Sequence, residues 1–180
     1  MVEKVVLVDD ENRVQGTAPK QGFHDDETPL HRGFSVYVFD DEHGLLLQQR
    51  SSKKTTWPGY WSNSVCGHPE LDESVVQAAR RRARQELSLQ LTRLSVVLPD
   101  YQYTFENNGV VENEICPVLV AQPKSDLSPN PAEVQDTAWA AWQEVQAFDD
   151  EDTYTPWFLD EVTELKQSDQ FNAWLEEVTT

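Results

Sequence analysis

Glu112 and Glu114 stand two apart in Val110-Val111-Glu112-Asn113-Glu114-Ile115-Cys116, a β-rich stretch. Side chains alternate along a strand, so both carboxylates and Cys116 share one face. Adjacent carboxylates repel unless something positive lies between or above them, and a metal ion would serve. A face that is simply wet is the commoner fate of such a pair. Ser64-Val65-Cys66-Gly67-His68-Pro69 raises a second question. If extended, it points Cys66 and His68 the same way, and Gly67 allows close backbone approach. A cationic or metal-bound imidazole beside a thiol lowers the thiol pKa and makes a base or nucleophile of it. The alternative is a buried structural cysteine, the usual fate of that residue, and Cys116 is left to it. His24 and His31 lie seven residues apart in a loop containing Asp and Pro. Three histidines with two carboxylates suit a divalent transition metal such as zinc or manganese, although the spacing is not a self-standing zinc motif. His43, the fourth histidine, falls in a hairpin loop and is expected to be exposed.

The stretch from Gly67 to Leu89 says more. Gly67, five residues, Glu73, seven residues and Arg81 resemble the opening of the Nudix box. The rest departs from that box. Arg82 and Gln85 stand where it has glutamates, Glu86 keeps the last acid, and Ser88 replaces its glycine. Nudix hydrolases use the full carboxylate cluster to hold magnesium against a diphosphate. Losing two acids, one of them to a cation, leaves a diphosphate-binding frame without its full hydrolytic equipment.

These residues need strands and helices to place them. The pattern predicts strands at 4–8, 33–39 and 45–49, the latter two joined by a hairpin loop at 40–44. Residues 57–59 form a turn and 61–66 are extended. Ser74-Val75-Val76-Gln77 reads as a capping box opening a helix to about Leu87, with Val75, Val76, Ala79, Ala83 and Leu87 on its apolar side. Residues 95–105 and 110–120 are β-rich and joined through Asn107-Asn108-Gly109, a hairpin signal. A last strand covers 134–139, helices follow at 142–149, 156–166 and 169–178, and residues 123–131 form a polar loop.

Leu30-His31-Arg32-Gly33-Phe34-Ser35, Trp57-Pro58-Gly59-x-Trp61-x-Asn63-Ser64-x-Cys66-Gly67-His68-Pro69 and Glu112-Asn113-Glu114-x-Cys116-Pro117 occur in this order. Together they resemble type 1 isopentenyl-diphosphate delta-isomerase across residues 4–160. The resemblance implies an α+β fold with a Nudix-like mixed sheet between helices, extra C-terminal helices, and one domain over 1–180. It implies conversion of isopentenyl diphosphate to dimethylallyl diphosphate through a carbocation. It also implies that His24, His31, His68, Glu112 and Glu114 hold a divalent metal, manganese, zinc or magnesium. Glu114 and Cys66 are then the proton-transfer groups, Tyr103 hydrogen-bonds Glu114, and Trp157 is an aromatic wall for the cation. Lys20, Arg50, Lys54 and Arg82 match diphosphate-binding positions, and Glu86 matches the ligand of a magnesium ion carried with the substrate. The family reading favours Glu114 as donor to the alkene and Cys66 as acceptor, and the residues alone leave that order open. The rival readings are a Nudix hydrolase of a nucleoside diphosphate derivative and a non-catalytic metal- or diphosphate-binding module.

Charge and composition bound the remaining classes. The 180 residues carry 14 Lys and Arg against 32 Asp and Glu, a net charge of −18. That argues against nucleic-acid and anionic membrane partners. No apolar run approaches the roughly 20 residues of a membrane span, and the N-terminus lacks a signal-peptide pattern. A soluble, cytoplasmic monomer with two free thiols is expected. Residues 131–180 hold 13 acids and one base, whereas residues 50–84 carry a net +4 and three of the four proposed diphosphate cations. The acidic excess in 131–180 is expected to lie away from the site. With six lysines in the chain, such a surface fits a high-salt setting in which self-repulsion is screened. The melting temperature should therefore rise markedly in molar KCl; a flat or falling value would count against that reading.

Overall fold

Phe34-Ser35-Val36-Tyr37-Val38-Phe39 is apolar at almost every position, the mark of a strand covered on both faces. In the computed structural model, which describes residues 3–42 and 44–178, this segment is β4 (Phe34–Asp40) at the centre of the larger sheet. His43 lies outside the described residues. The other strands are β1 (Lys4–Val8), β2 (Val14–Pro19), β3 (His31–Arg32), β5 (Gly44–Arg50), β6 (Trp61–Ser62), β7 (Val65–Gly67), β8 (Leu91–Leu98), β9 (Gln102–Asn107), β10 (Val110–Ile115), β11 (Val118–Pro123) and β12 (Val134–Ala140). The helices are α1 (Val75–Leu87), α2 (Trp142–Val145), α3 (Pro156–Gln167) and α4 (Asp169–Val178).

One sheet runs β2-β1-β3-β10-β9 and the other β12-β5-β4-β11-β8, with β6 beside β5 and β7 beside β4. The β3–β10 and β4–β11 pairs are parallel and the others antiparallel, so both sheets are mixed. Alternation sorts the core. Phe34, Val36, Val38, Leu46, Leu119 and Ala121 pack with Ala78, Ala79, Ala83 and Leu87 of α1. Tyr37, Phe39, Leu45, Leu47, Val118 and Val120 pack with Phe158, Val162, Leu165, Phe171 and Trp174 of α3 and α4. The larger sheet therefore lies between helices, as the resemblance implied. Helix α1 begins at the expected capping box, with Ser74 and Gln77 satisfying each other's backbone N–H groups.

Two predicted strands turn out to be four. Residues 95–105 break at Pro99-Asp100, where proline removes a ladder donor. Residues 110–120 break at Cys116-Pro117, where the chain leaves one sheet for the other. Strands β2 and β3 carry too little hydrophobic pattern to be seen in advance. The helix expected at 142–149 stops at Val145, and Phe148 instead stacks on Tyr154.

Ser88 caps α1 in the left-handed conformation (φ 54°), the position where the Nudix box has glycine. A side chain there costs about 1–2 kcal/mol, part of which glycine's extra unfolded-state entropy offsets. Ser88→Gly should raise unfolding stability by about 0.5–1 kcal/mol in urea titration.

Candidate active site

The two parallel strand pairs cross between sheets at the same level. Gly33 lies between β3 and β4, and Cys116-Pro117 between β10 and β11. Gly33 N–H donates to Ile115 O (2.9 Å) and Ser35 N–H to Pro117 O (3.2 Å), tying the two crossings together. Beyond this fork opens a cavity lined by Lys20, His24, Arg50, Lys54, Cys66, His68, Arg82, Glu86, Tyr103, Glu112, Glu114 and Trp157. His31 stands behind it, fully buried and in register with Glu114. The residues singled out from the sequence are thus gathered in one place.

Glu112 and Glu114 share a face of β10, as alternation requires, and both are buried. His24 Nε2 lies 3.3 Å from Glu112 Oε2. His31 Nε2 and His68 Nε2 lie 3.3 and 3.0 Å from Glu114 Oε1. His31 Nδ1 is 2.9 Å from the Pro29 carbonyl, which accepts only when that nitrogen carries the proton. With the ring neutral its Nε2 then holds a lone pair, and with the ring protonated that nitrogen donates to the carboxylate. One ligand atom from each of the five residues falls within 4.8 Å of the others, and among the described residues His24 Nε2 has no hydrogen-bond partner. Lone pairs converging in a buried space are the arrangement a divalent cation satisfies, so the donor set fits a metal. Burial alone would raise the Glu114 pKa, but hydrogen bonds from His31 and His68 hold it well below the usual carboxylate range. Burial depresses His68, whereas in His31 the hydrogen bond and charge of Glu114 overcome burial and raise the pKa.

Gly33 makes this placement possible. A Cβ on residue 33 would lie 1.7 Å from Glu114 Oε2, so the carboxylate occupies the space a side chain would take.

Cys66 pairs with Ser35 across β7 and β4. Its thiol donates to Asn63 Oδ1 (3.1 Å), while Asn63 Nδ2 is turned away toward the carbonyls of Val65 (2.9 Å) and Val36 (3.3 Å). Burial, and after it the charge of Glu161, push the thiol up to about 12. Tyr103 is the register partner of Glu114, and burial followed by that carboxylate's charge raises its pKa. No hydrogen bond joins the Tyr103 and Glu114 side chains among the described residues; the tyrosine ring is stacked on Trp157 instead (5.8 Å, 16°). Trp157 begins α3 behind Pro156 and is 2% exposed. The Arg50 guanidinium sits 5.1 Å from the Trp157 ring centroid and donates to the carbonyls of Thr56 and Trp57.

The other cations are held by acids. Lys20 pairs with Glu3 (3.1 Å), Lys54 with Glu133, and Arg82 with Glu86 and Glu133. Despite partial burial, Lys54 and Arg82 lower Glu133 to about 2. Here the structure corrects the expectation that the acids of 131–180 lie away from the site. Glu133 touches two of its cations, and Glu161 lies against the Cys116 thiol that lines it. Ser35, Asn63, Glu133 and Glu161 were missed from sequence. For Glu161 a signal existed, since it falls within the buried stripe 157, 158, 161, 162, 165 of α3. Lys53 and Arg84 are exposed and Arg81 is fixed by Glu73 (2.7 Å). Both cysteines are free. Among the described residues, no helix is long and apolar enough to cross a membrane.

The NUDIX domain family matches residues 29–161. A curated relative from Kocuria rhizophila, an isopentenyl-diphosphate Delta-isomerase, is 45% identical over 165 residues, which is 90% of this chain and 92% of that protein. The chain belongs to the isopentenyl-diphosphate Delta-isomerase family, on a NUDIX domain. Other members include the Paenarthrobacter aurescens protein, 49% identical over 76% of this chain and 75% of its own length. The Salmonella paratyphi B protein is 40% identical over 93% and 92%. The fold is shared more widely. A Deinococcus radiodurans structure matches 90% of this chain and 98% of its own at TM-score 0.69 and 17% identity. A MutT NUDIX hydrolase from Burkholderia pseudomallei matches 74% and 96% at TM-score 0.59 and 20% identity. Within this isomerase family member, Arg82 replaces a NUDIX-box acid with a buried cation.

Gly33→Ala should displace the Glu114 carboxylate. Isothermal titration with manganese or zinc should then show affinity lower by about 10–100-fold, with the variant still folded by circular dichroism. Unchanged affinity would show that the cradle does not matter.

Proposed function

We propose that this chain shifts the double bond of isopentenyl diphosphate to give dimethylallyl diphosphate, and that the residues gathered at the fork do the work. An alkene is a very poor base, and the tertiary carbocation formed by protonating it is readily captured by water. The reaction therefore needs a strong acid, a base, a dry pocket and a cation stabiliser. The observation that carries the reading is Cys66 and Glu114 lining one cavity, with three histidines around the Glu112 and Glu114 carboxylates and cations beside them.

The lowered pKa of Glu114 makes it a strong acid whenever it holds a proton, and the raised pKa of Cys66 makes its thiolate a strong base. We assign Glu114 as donor to the alkene and Cys66 as acceptor. The resting charges run the other way, carboxylate on Glu114 and proton on Cys66. Forming the thiolate is therefore the costly preparation for each forward turnover, and the same pair serves the reverse reaction with roles exchanged. Tyr103 and Trp157 wall the cavity. An indole face stabilises a passing cation by roughly 0.5–2 kcal/mol, and here it already faces the Arg50 guanidinium.

His24, His31, His68, Glu112 and Glu114 would hold a divalent metal, and three imidazoles with two carboxylates suit zinc or manganese. When bound, its charge favours the deprotonated form of Glu114 and so strengthens the acid. Lys20, Arg50, Lys54 and Arg82 would take the diphosphate, with Glu86 on the magnesium that accompanies it. Arginine donates two parallel hydrogen bonds to phosphate oxygens. Every group in this scheme comes from one chain, which supports a monomer acting as one domain. Arg82 and Gln85 at two acid positions disfavour NUDIX-type hydrolysis.

Proton NMR of isopentenyl diphosphate with protein and magnesium in deuterated water should show dimethylallyl product and deuterium uptake. Cys66→Ala and Glu114→Gln should each lower turnover by at least about 10²–10⁴-fold. Neither product nor exchange from the wild-type protein would sink the reading.

A further inference from the structure

Glu86, Glu112, Glu114 and Glu161 are the buried acids among the described residues, and the chemistry proposed above leaves Glu161 unused. Glu161 is 0% exposed. It sits one helical turn after Trp157 on α3, so its side chain reaches the same side of the larger sheet. Tyr37 Oη donates to Glu161 Oε2 at 2.8 Å. The other oxygen faces Cys116 Sγ at 4.0 Å, and the Ser35 hydroxyl hydrogen-bonds the same carboxyl. Ser35 Oγ in turn lies 3.8 Å from Cys66 Sγ and 3.7 Å from Cys116 Sγ. A continuous chain therefore runs Tyr37, Glu161, Ser35, Cys66.

Direction is the property that matters in such a chain. Cys66 Sγ has two polar neighbours in hydrogen-bond range among the described residues, Asn63 and Ser35. Asn63 presents its oxygen to the sulfur and uses its nitrogen elsewhere, so it can only accept. A thiolate needs donors, and the one group here that can supply a hydrogen to it is the Ser35 hydroxyl. That hydroxyl has a single hydrogen. It points to the sulfur only when Glu161 does not claim it.

We propose that Glu161, in its protonated form, is a positioning residue for Cys66: it donates to Ser35 Oγ and so turns the Ser35 hydrogen toward the Cys66 sulfur. This rests on the isomerase reading, in which Cys66 must become a thiolate. With Glu161 ionised, Tyr37 and Ser35 both donate to the carboxylate. The chain then reverses, Cys66 loses its donor, and a negative charge stands behind it. Burial raises the Glu161 pKa to about 8 against the hydrogen bonds of Ser35 and Tyr37, with the Glu114 and Asp160 charges adding to the rise. The protonated form therefore prevails at neutral pH and is lost as pH climbs through that value. The groups that face this chain are Ser35 and Tyr37 of β4, Cys66 of β7, Glu86 of α1, Cys116 at the fork, Tyr101 before β9, Tyr103 of β9, Glu114 of β10 and Asp160 of α3. Arg50 of β5 is the cation whose charge reaches the thiol.

The test compares Glu161→Gln, Glu161→Ala and Ser35→Ala in the isomerisation assay across pH, with infrared spectra of the substrate-free proteins. A glutamine amide accepts from Tyr37 and donates to Ser35 at every pH. Wild-type kcat should fall as pH rises through about 8, and E161Q should keep its kcat and lose that fall. E161A and S35A should lower kcat by at least about tenfold with KM unmoved, the loss expected of one hydrogen bond to an ionised acceptor. The wild type should show a protonated buried carboxyl band at neutral pH that is missing from E161Q. An absent band, an E161Q as poor as E161A, or an alkaline limb unaltered in an active E161Q overturns this proposal alone. A wild type that does not isomerise overturns the isomerase reading itself.

Discussion

An ionised carboxylate taken out of water costs several kcal/mol unless charge and hydrogen bonds replace its hydration. Glu114 is such a group, 5% exposed at the end of a strand, and much of the surrounding architecture is explained by accommodating it. Gly33 surrenders its side chain to make room. His31 and His68 aim nitrogens at one carboxylate oxygen, while the Pro29 carbonyl fixes the His31 ring. Glu112 adds a second buried carboxylate within the same cluster. Two acids against three imidazoles are balanced by protons or by a divalent cation. Only the cation satisfies all five donors together, because a proton serves two atoms at a time.

The same problem recurs with the opposite sign among the cations proposed to take the diphosphate. Lys20, Lys54 and Arg82 crowd together and depress the Lys20 pKa, a shift led by burial and followed by the charge of Arg82. Glu3, Glu86 and Glu133 hold them apart and in place. In the proposed function, an arriving diphosphate would exchange partners with these carboxylates rather than capture free cations. The cations are thus preorganised by groups that mimic part of the ligand's charge, which lowers the ordering cost of binding. It also explains how a chain of net charge −18 maintains an anion site. The acids nearest the cations serve as their counter-ions, Glu112, Glu114 and Glu161 are buried, and the other acids are at least partly exposed.

Local signals made much of this legible in the sequence. The Ser74 capping box set the start of α1, the Asn-Asn-Gly turn placed the β9–β10 hairpin, and strict alternation put Glu112 and Glu114 on one face. Histidines at 24, 31 and 68 suited a metal by type, but their spacing gave no reason to bring them together, because their convergence depends on β3 and β10 pairing in parallel over a long separation. No local pattern encodes that pairing. The two-residue β3 and the sheet change at Cys116-Pro117 were invisible for the same reason. Glu133 and Glu161 were read as surface charge, since composition counts acids without saying which are buried. In Glu161 the helical period disagreed with the charge, and the period was right: a carboxyl on a buried stripe carries structural information that a net charge conceals.

The fork accounts for why Glu114 and Cys66, the proposed donor and acceptor, come to share a cavity at all. Glu114 belongs to the smaller sheet and Cys66 to a strand beside the larger one, so neither sheet alone could place both. Where β3 passes into β4 and β10 into β11, the sheets separate within a few residues of their last shared hydrogen bonds. Side chains on either side of the split point into the gap, held by backbone that is paired on both flanks. That rigidity matters because a proton is transferred only over hydrogen-bond distances, and a small misplacement is costly. The fork also brings Ser35 and Cys116 within 3.7 Å of each other, Cys116 inside one crossing and Ser35 two residues after Gly33 in the other. The electrostatic state of Cys66 is consequently set by residues on both strands of the split and on α3 together, and any change that shifts one crossing against the other alters the acid and the base at once.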